Sequence, residues 1–168
     1  MKKGFKFFYA FAAVMLTAYI CSALTEAGIN SWYNDIAKPA LVPPNIVFPI
    51  FWSVIYVLLI FSTFIALREA DSYMRRKANN LFIVQLLLQI LWCFTFFAEG
   101  YLGLGFAVIV LLDIAVFRMI VVYNKINRLS AWLLYPYYWW LVFATFLNGI
   151  FVSVSYTHLR AHETGRNL

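Results

Sequence analysis

Long apolar runs separated by short polar joints dominate the chain. Five of them, roughly residues 5–24, 46–67, 79–98, 102–123 and 131–154, approach the ~20 residues a helix needs to cross a bilayer. They lack the alternation and the spacing of about ten residues that mark the strands of a membrane barrel. The pattern therefore predicts an all-α integral membrane protein. It is a single domain, residues 1–154, built as a bundle of five transmembrane helices, with a polar tail at 155–168. The joint Glu99-Gly100-Tyr101 is short enough to make the third and fourth spans a tight antiparallel hairpin. Pro49 falls in the first turn of the second span, where a missing donor costs little. Pro136 lies about a turn into the fifth and is expected to bend it.

One joint is unlike the others. Trp32–Pro44 is polar, aromatic and stiffened by Pro39, Pro43 and Pro44, so neither a helix nor a central strand is expected to run through it. A bare connection needs only a few residues, and a longer ordered one usually carries function. This segment reads as a structured loop between helices 1 and 2, a lid or ligand-binding loop at the membrane surface.

Composition agrees with a membrane class: 64% of residues are hydrophobic, 12% are charged and the mean hydropathy is +0.80. A soluble domain carries about 25% charge. The net charge of +6 is distributed by topology. Lys2, Lys3, Lys6, Arg68, Arg75, Arg76, Lys77, Arg118, Lys125 and Arg128 fall on one side of a chain that crosses five times. The positive-inside bias then makes the N-terminus cytoplasmic and puts the Trp32–Pro44 loop and the C-terminus outside. Charge placed this way speaks for a bilayer and against nucleic acid. The first span has a basic start but is too long for a signal peptide and lacks a small-x-small site, so it is expected to stay as a helix. Cys21 and Cys93 both lie in spans, where cysteine usually packs as a small apolar residue; a bridge between them is the other reading.

Three helical faces combine aromatics with neutral polar groups. They are Phe48, Trp52, Tyr56 and Leu59; Phe82, Gln85, Gln89, Trp92 and Phe96; and Tyr137, Trp140, Ala144 and Asn148. Steps of three and four keep each set on one side of its helix. Polar side chains in a bilayer are expected to face the bundle interior and find partners. The faces are thus either interhelical packing with Gln85, Gln89 and Asn148 as hydrogen-bonding glue, or an apolar pocket for a flat aromatic ligand. Asp113 is the one acid deep in a span, a proton site or a structural hydrogen-bonding group. Arg118 is five residues away, about 140° round the helix, and does not share its face. The sequence shows no catalytic constellation and no metal cluster. His158 and His162 stand four apart with no third ligand nearby, in a tail that reads as foreign to the bundle. Val121–Lys125 fits the loose cholesterol pattern, which chance explains in a chain rich in valine and tyrosine.

Four stretches together carry a family resemblance. They are Trp32-Tyr33 with Lys38-Pro39 and Pro43-Pro44; Phe48-Pro49 with Trp52 and Tyr56; Trp92 with Phe96-Phe97; and Ser130–Tyr137 with Trp140, Phe143-Ala144-Thr145 and Leu147-Asn148. Over roughly residues 5–152 the chain resembles the tryptophan-rich sensory protein/translocator protein family, also called TspO/MBR or the peripheral-type benzodiazepine receptor family. The resemblance implies a five-helix bundle, often a homodimer, whose pocket is closed by the loop after helix 1. It implies a porphyrin such as protoporphyrin IX, or another hydrophobic small molecule, as ligand or substrate, with no cofactor required. The ligand-binding positions it implies are Trp32, Tyr33, Pro43, Pro44, Trp52, Tyr56, Gln89, Trp92, Phe96, Trp140, Ala144, Leu147 and Asn148. Trp52 and Trp140 would be the catalytic pair if the protein degrades porphyrin in light. The resemblance gives Asp113 no role; Asp113 would couple protons only if the protein is a transporter, and Lys38 either neutralises a propionate or stands solvated. The chain departs from many members at Leu41, Ile46 and Gln89. Its Gly149 replaces the tyrosine associated with cholesterol, which argues against sterol recognition there.

Overall fold

An apolar segment in lipid must satisfy its own backbone, and helices do so within the segment. The computed structural model describes residues 3–34 and 43–164, with side chains for 4–34 and 43–153, and no strand occurs among the described residues. Helix α1 spans Lys3–Gly28, α2 Val47–Glu69, α3 Ser72–Trp92 and α4 Leu102–Ile126. The short α5 spans Arg128–Trp132 and α6 Tyr135–Thr164. Helices α1 and α3 each end in a wider π-helical stretch, Ile29–Tyr33 and Cys93–Ala98.

Four segments of the described chain are long and apolar enough to cross a membrane: Gly4–Tyr33, Val47–Glu69, Ser72–Ala98 and Leu102–Ile126. Helix α6 is as long, and its side chains are described only as far as Ser153. The outward faces are apolar as well, with Phe8, Leu16, Val54, Leu87, Leu111 and Ile114 all exposed. A water-soluble protein buries such side chains; here they suit a surface of lipid tails.

The ends of the elements differ from the apolar pattern for local reasons. Trp32 and Tyr33 belong to the π-helical end of α1 rather than to the loop, and residues 35–42, with Lys38, Pro39 and Leu41, lie outside the described chain. Helix α3 starts at Ser72, well before its apolar run, because the Asp71 carboxylate accepts the Met74 backbone N–H at 2.8 Å. Pro136 does not bend a continuous fifth helix. It sits in the first turn of α6, after a break at Leu133-Leu134, so α5 and α6 are separate. The backbone of α6 continues through the tail to Thr164, since 155–164 contains neither proline nor glycine. The side chains of His158 and His162 lie outside the described residues.

Between α3 and α4 the chain reverses at Gly100, whose φ of 67° is open to glycine at little cost, and Tyr101 N–H donates to Thr95 O at 2.9 Å. The opposite end of the bundle is basic. Lys6 and Arg75 both donate to the Leu67 carbonyl, at 3.0 and 3.1 Å, and Arg75 also donates to Ala70 O at 2.6 Å. These contacts satisfy carbonyls that the end of α2 would otherwise leave open. Ser62 on α2 donates to Ser130 O on α5 at 2.7 Å, which ties that end of α2 to the start of the last segment.

Candidate ligand site in the aromatic core

The three aromatic faces turn inward and meet. Phe82, Gln85, Gln89, Trp92 and Phe96 of α3 and its π-helical end are all buried, as are Tyr137, Trp140, Ala144 and Asn148 of α6. On α2, Leu59 is buried and Phe48, Trp52 and Tyr56 are half-buried. Trp52 lies at the centre. Its ring is 5.6 Å from Tyr56, 6.0 Å from Tyr137 and 6.4 Å from Trp92, in stacked, edge and tilted arrangements. Such geometries are favourable between aromatic quadrupoles.

A chain of hydrogen bonds runs beneath these rings. Tyr137 donates its hydroxyl to Gln85 Oε1 at 3.0 Å and lies 3.4 Å from Gln89 Oε1. Gln89 Nε2 donates to the Tyr56 hydroxyl at 2.9 Å. Above them Trp92 Nε1 donates to Asn148 Oδ1 at 3.3 Å, and Asn148 Nδ2 donates to Ala144 O at 2.8 Å. The polar side chains of the three faces are thus joined across helices, as an apolar surrounding requires. Gln85 Nε2 is the exception: it is buried and has no partner.

A second aromatic group closes the end of the bundle where α1 and α3 finish. Tyr33 packs on Trp32, Phe96, Phe97 and Phe151 at centroid distances of 5.5 to 6.5 Å. Trp32 Nε1 donates to Phe97 O at 2.7 Å. Gly28 permits this approach, since a Cβ there would collide with the Phe97 carbonyl.

Of the residues named from the sequence, Trp52, Tyr56, Gln89, Trp92 and Asn148 come together in one network, and Trp32, Tyr33 and Phe96 in the adjoining group. Trp140 is buried next to α2 but on different rings from Trp52: Phe51 stacks on it at 4.5 Å, with Phe48 and Phe143 each at 5.8 Å. Ala144 packs with Trp92 and Phe96, and Leu147 is buried. Pro43 is half-buried and Pro44 exposed, leading into α2 through a bond from Val47 N–H to Pro44 O at 2.9 Å. Gln85 stood on an inward face but had no sequence signal separating it from packing residues. Tyr137 and Phe97 lie in stretches that carry the resemblance without being named as ligand positions, and Phe151 has only its aromaticity. Cys21 and Cys93 are free thiols in the buried group around Trp92 and Phe96.

Asp113 is paired by a residue the sequence did not suggest. Thr145 donates to Asp113 Oδ2 at 2.6 Å, while Arg118 is exposed. Thr145 also lines a shallow groove of about 430 Å³ with Phe106, Val142, Phe146 and Gly149, on the outer side of α4 and α6. Among the described residues no three His, Cys, Asp or Glu side chains are grouped to hold a metal.

Residues 10–153 match the TspO/MBR family. The chain is 34% identical over 142 residues to the protein CrtK of Rhodobacter capsulatus, covering 81% of this chain and 87% of that protein. It is 32% identical over 136 residues to the tryptophan-rich protein TspO of Archaeoglobus fulgidus, covering 81% and 88%. To the human translocator protein it is 29% identical over 138 residues, covering 81% and 82%. The chain belongs to the TspO/MBR family and is an integral membrane protein.

Proposed function

We propose that this member of the family binds a porphyrin of the protoporphyrin IX type among Trp52, Tyr56, Trp92, Tyr137 and Trp140, in a sensory or regulatory role. In this reading α6 is the fifth span, the basic end is cytoplasmic, and the segment around Pro43 and Pro44 covers the ligand on the other side. The protein works as a homodimer in the bilayer. The observation that carries the reading is the setting of Trp52: three aromatic rings within 6.4 Å, over a short line of neutral polar groups. Flat conjugated ligands are held by such rings, and few polar groups suffice to orient them. The name "tryptophan-rich" carried by several relatives fits a shared role for the tryptophans. Titration of the purified protein with protoporphyrin IX tests it: saturable quenching of tryptophan fluorescence is expected, and its absence overturns the reading.

A second reading, light-dependent breakdown of the bound porphyrin, draws on the linked rings of Trp52, Tyr56, Trp92 and Tyr137. Oxidisable side chains this close would sit beside an excited macrocycle. Loss of porphyrin absorbance in light but not in the dark is its signature.

A further inference from the structure

The polar line under Trp52 carries more hydrogens than it can use. Gln85 and Gln89 bring two amide hydrogens each, and Tyr56 and Tyr137 one hydroxyl hydrogen each. The contacts that join them number three: Tyr137 to Gln85, Tyr137 to Gln89, and Gln89 to Tyr56. In this arrangement the hydrogens outnumber the contacts, so donors are left unmet. The surplus is concentrated at Gln85, whose side chain is fully buried and whose Nε2 has no partner. A buried donor left without an acceptor is costly, and a stable core seldom keeps one without a use. Helical geometry places it: Gln85 lies one turn from Gln89 toward the basic end, below Tyr56 and Trp52, at the inner limit of the aromatic site.

We propose that Gln85, with the Tyr56 hydroxyl, anchors a carbonyl or carboxylate oxygen of the bound ligand. The proposal rests on the porphyrin reading and narrows it. It selects ligands that carry an oxygen acceptor on an otherwise apolar frame, and it orients that acceptor toward the inner end of the site. An all-alkyl macrocycle satisfies the rings but leaves the donors unmet. An acid-bearing one satisfies both, and bonds to a charged acceptor are the stronger kind.

Two porphyrins of equal ring and different rim test it by tryptophan quenching: mesoporphyrin IX, with two carboxylates, and etioporphyrin, with alkyl groups alone. Wild-type protein is expected to bind mesoporphyrin about tenfold or more tighter. Gln85→Leu is expected to remove most of that preference while leaving etioporphyrin affinity unchanged, which also shows that the variant is folded. Tyr56→Phe is expected to remove a smaller part. Retention of the full preference in Gln85→Leu would mean the amide serves only a buried water, and overturns the proposal. Equal loss of both ligands would make Gln85 a packing residue, and also overturns it. Failure of both porphyrins to quench the wild-type protein is the distinct result that removes the porphyrin reading and this inference together.

Discussion

Trp32 on α1 donates its indole N–H to the backbone carbonyl of Phe97 on the π-helical end of α3, across 2.7 Å. The two helices can approach this closely because Gly28, one turn before Trp32, has no side chain to meet that same carbonyl. The bond joins the end of the first helix to the aromatic group containing Phe96 and Phe97, and so fixes where the following loop begins.

Gly28→Val is therefore expected to push α1 off α3. The obstacle is backbone, which cannot swing aside as a side chain does. A loss of stability of about 1–3 kcal/mol is expected from overpacking of this kind. Trp32→Phe keeps an aromatic ring but removes the bond and part of the indole's packing, at a cost of about 1–2 kcal/mol. Thermal unfolding in detergent should rank them wild type, Trp32→Phe, Gly28→Val. A Gly28→Val protein as stable as wild type would contradict the close approach.

Tyr56 and Gln89 should behave as a coupled pair, since Gln89 Nε2 donates to the Tyr56 hydroxyl at 2.9 Å. Gln89→Leu also removes an acceptor facing Tyr137, so it is expected to cost about 1–3 kcal/mol. Tyr56→Phe should cost less, because the hydroxyl lies on a half-buried side chain. The double variant should be more stable than the sum of the singles implies, by about 0.5–3 kcal/mol. Strict additivity would show that the bond contributes nothing.

The sequence revealed the inward faces because period and chemistry agreed there. Gln85, Gln89, Trp92 and Phe96 follow steps of three and four, and all four are buried. Partners across helices were a different matter. Nothing local to Asp113 points to Thr145, which lies 32 positions away on another helix. The end of α1 was also hidden, because a π-helical stretch leaves the 3.6-residue period of the apolar pattern. Thus Trp32 and Tyr33 read as loop residues when they close a helix. The break at Leu133-Leu134 was hidden by apolar character that continues across it, so α5 and α6 read as one span with Pro136 inside.

Trp52 and Trp140 are expected to separate binding from photochemistry. Trp52 touches Tyr56, Trp92 and Tyr137, whereas Trp140 packs on Phe48, Phe51 and Phe143. Trp52→Ala should weaken protoporphyrin IX binding about tenfold or more, with Trp139→Ala as an exposed control that leaves it unchanged. If breakdown in light occurs, Trp52→Phe and Trp140→Phe should bind normally and slow it. Unaltered photobleaching in both variants would mean that the decay does not run through these indoles.

Asp113 offers a test of the transport alternative that stability measurements alone cannot give. Thr145 satisfies one carboxyl oxygen at 2.6 Å, and the other, Oδ1, is buried without a partner. Thr145→Val strips the remaining bond and should cost about 1–3 kcal/mol. Replacing both members with apolar residues of similar shape, Asp113→Leu with Thr145→Val, removes the unmet groups along with the bond and should recover much of that loss. A purely structural pair predicts that the double variant is stable and binds porphyrin as wild type does. If instead the carboxylate couples protons to tetrapyrrole movement, the double variant and Asp113→Asn should both bind normally yet lose flux in proteoliposomes. Wild-type flux from Asp113→Asn would rule proton coupling out at this residue, and would leave the Asp113–Thr145 pair as a hydrogen bond that holds α4 against α6.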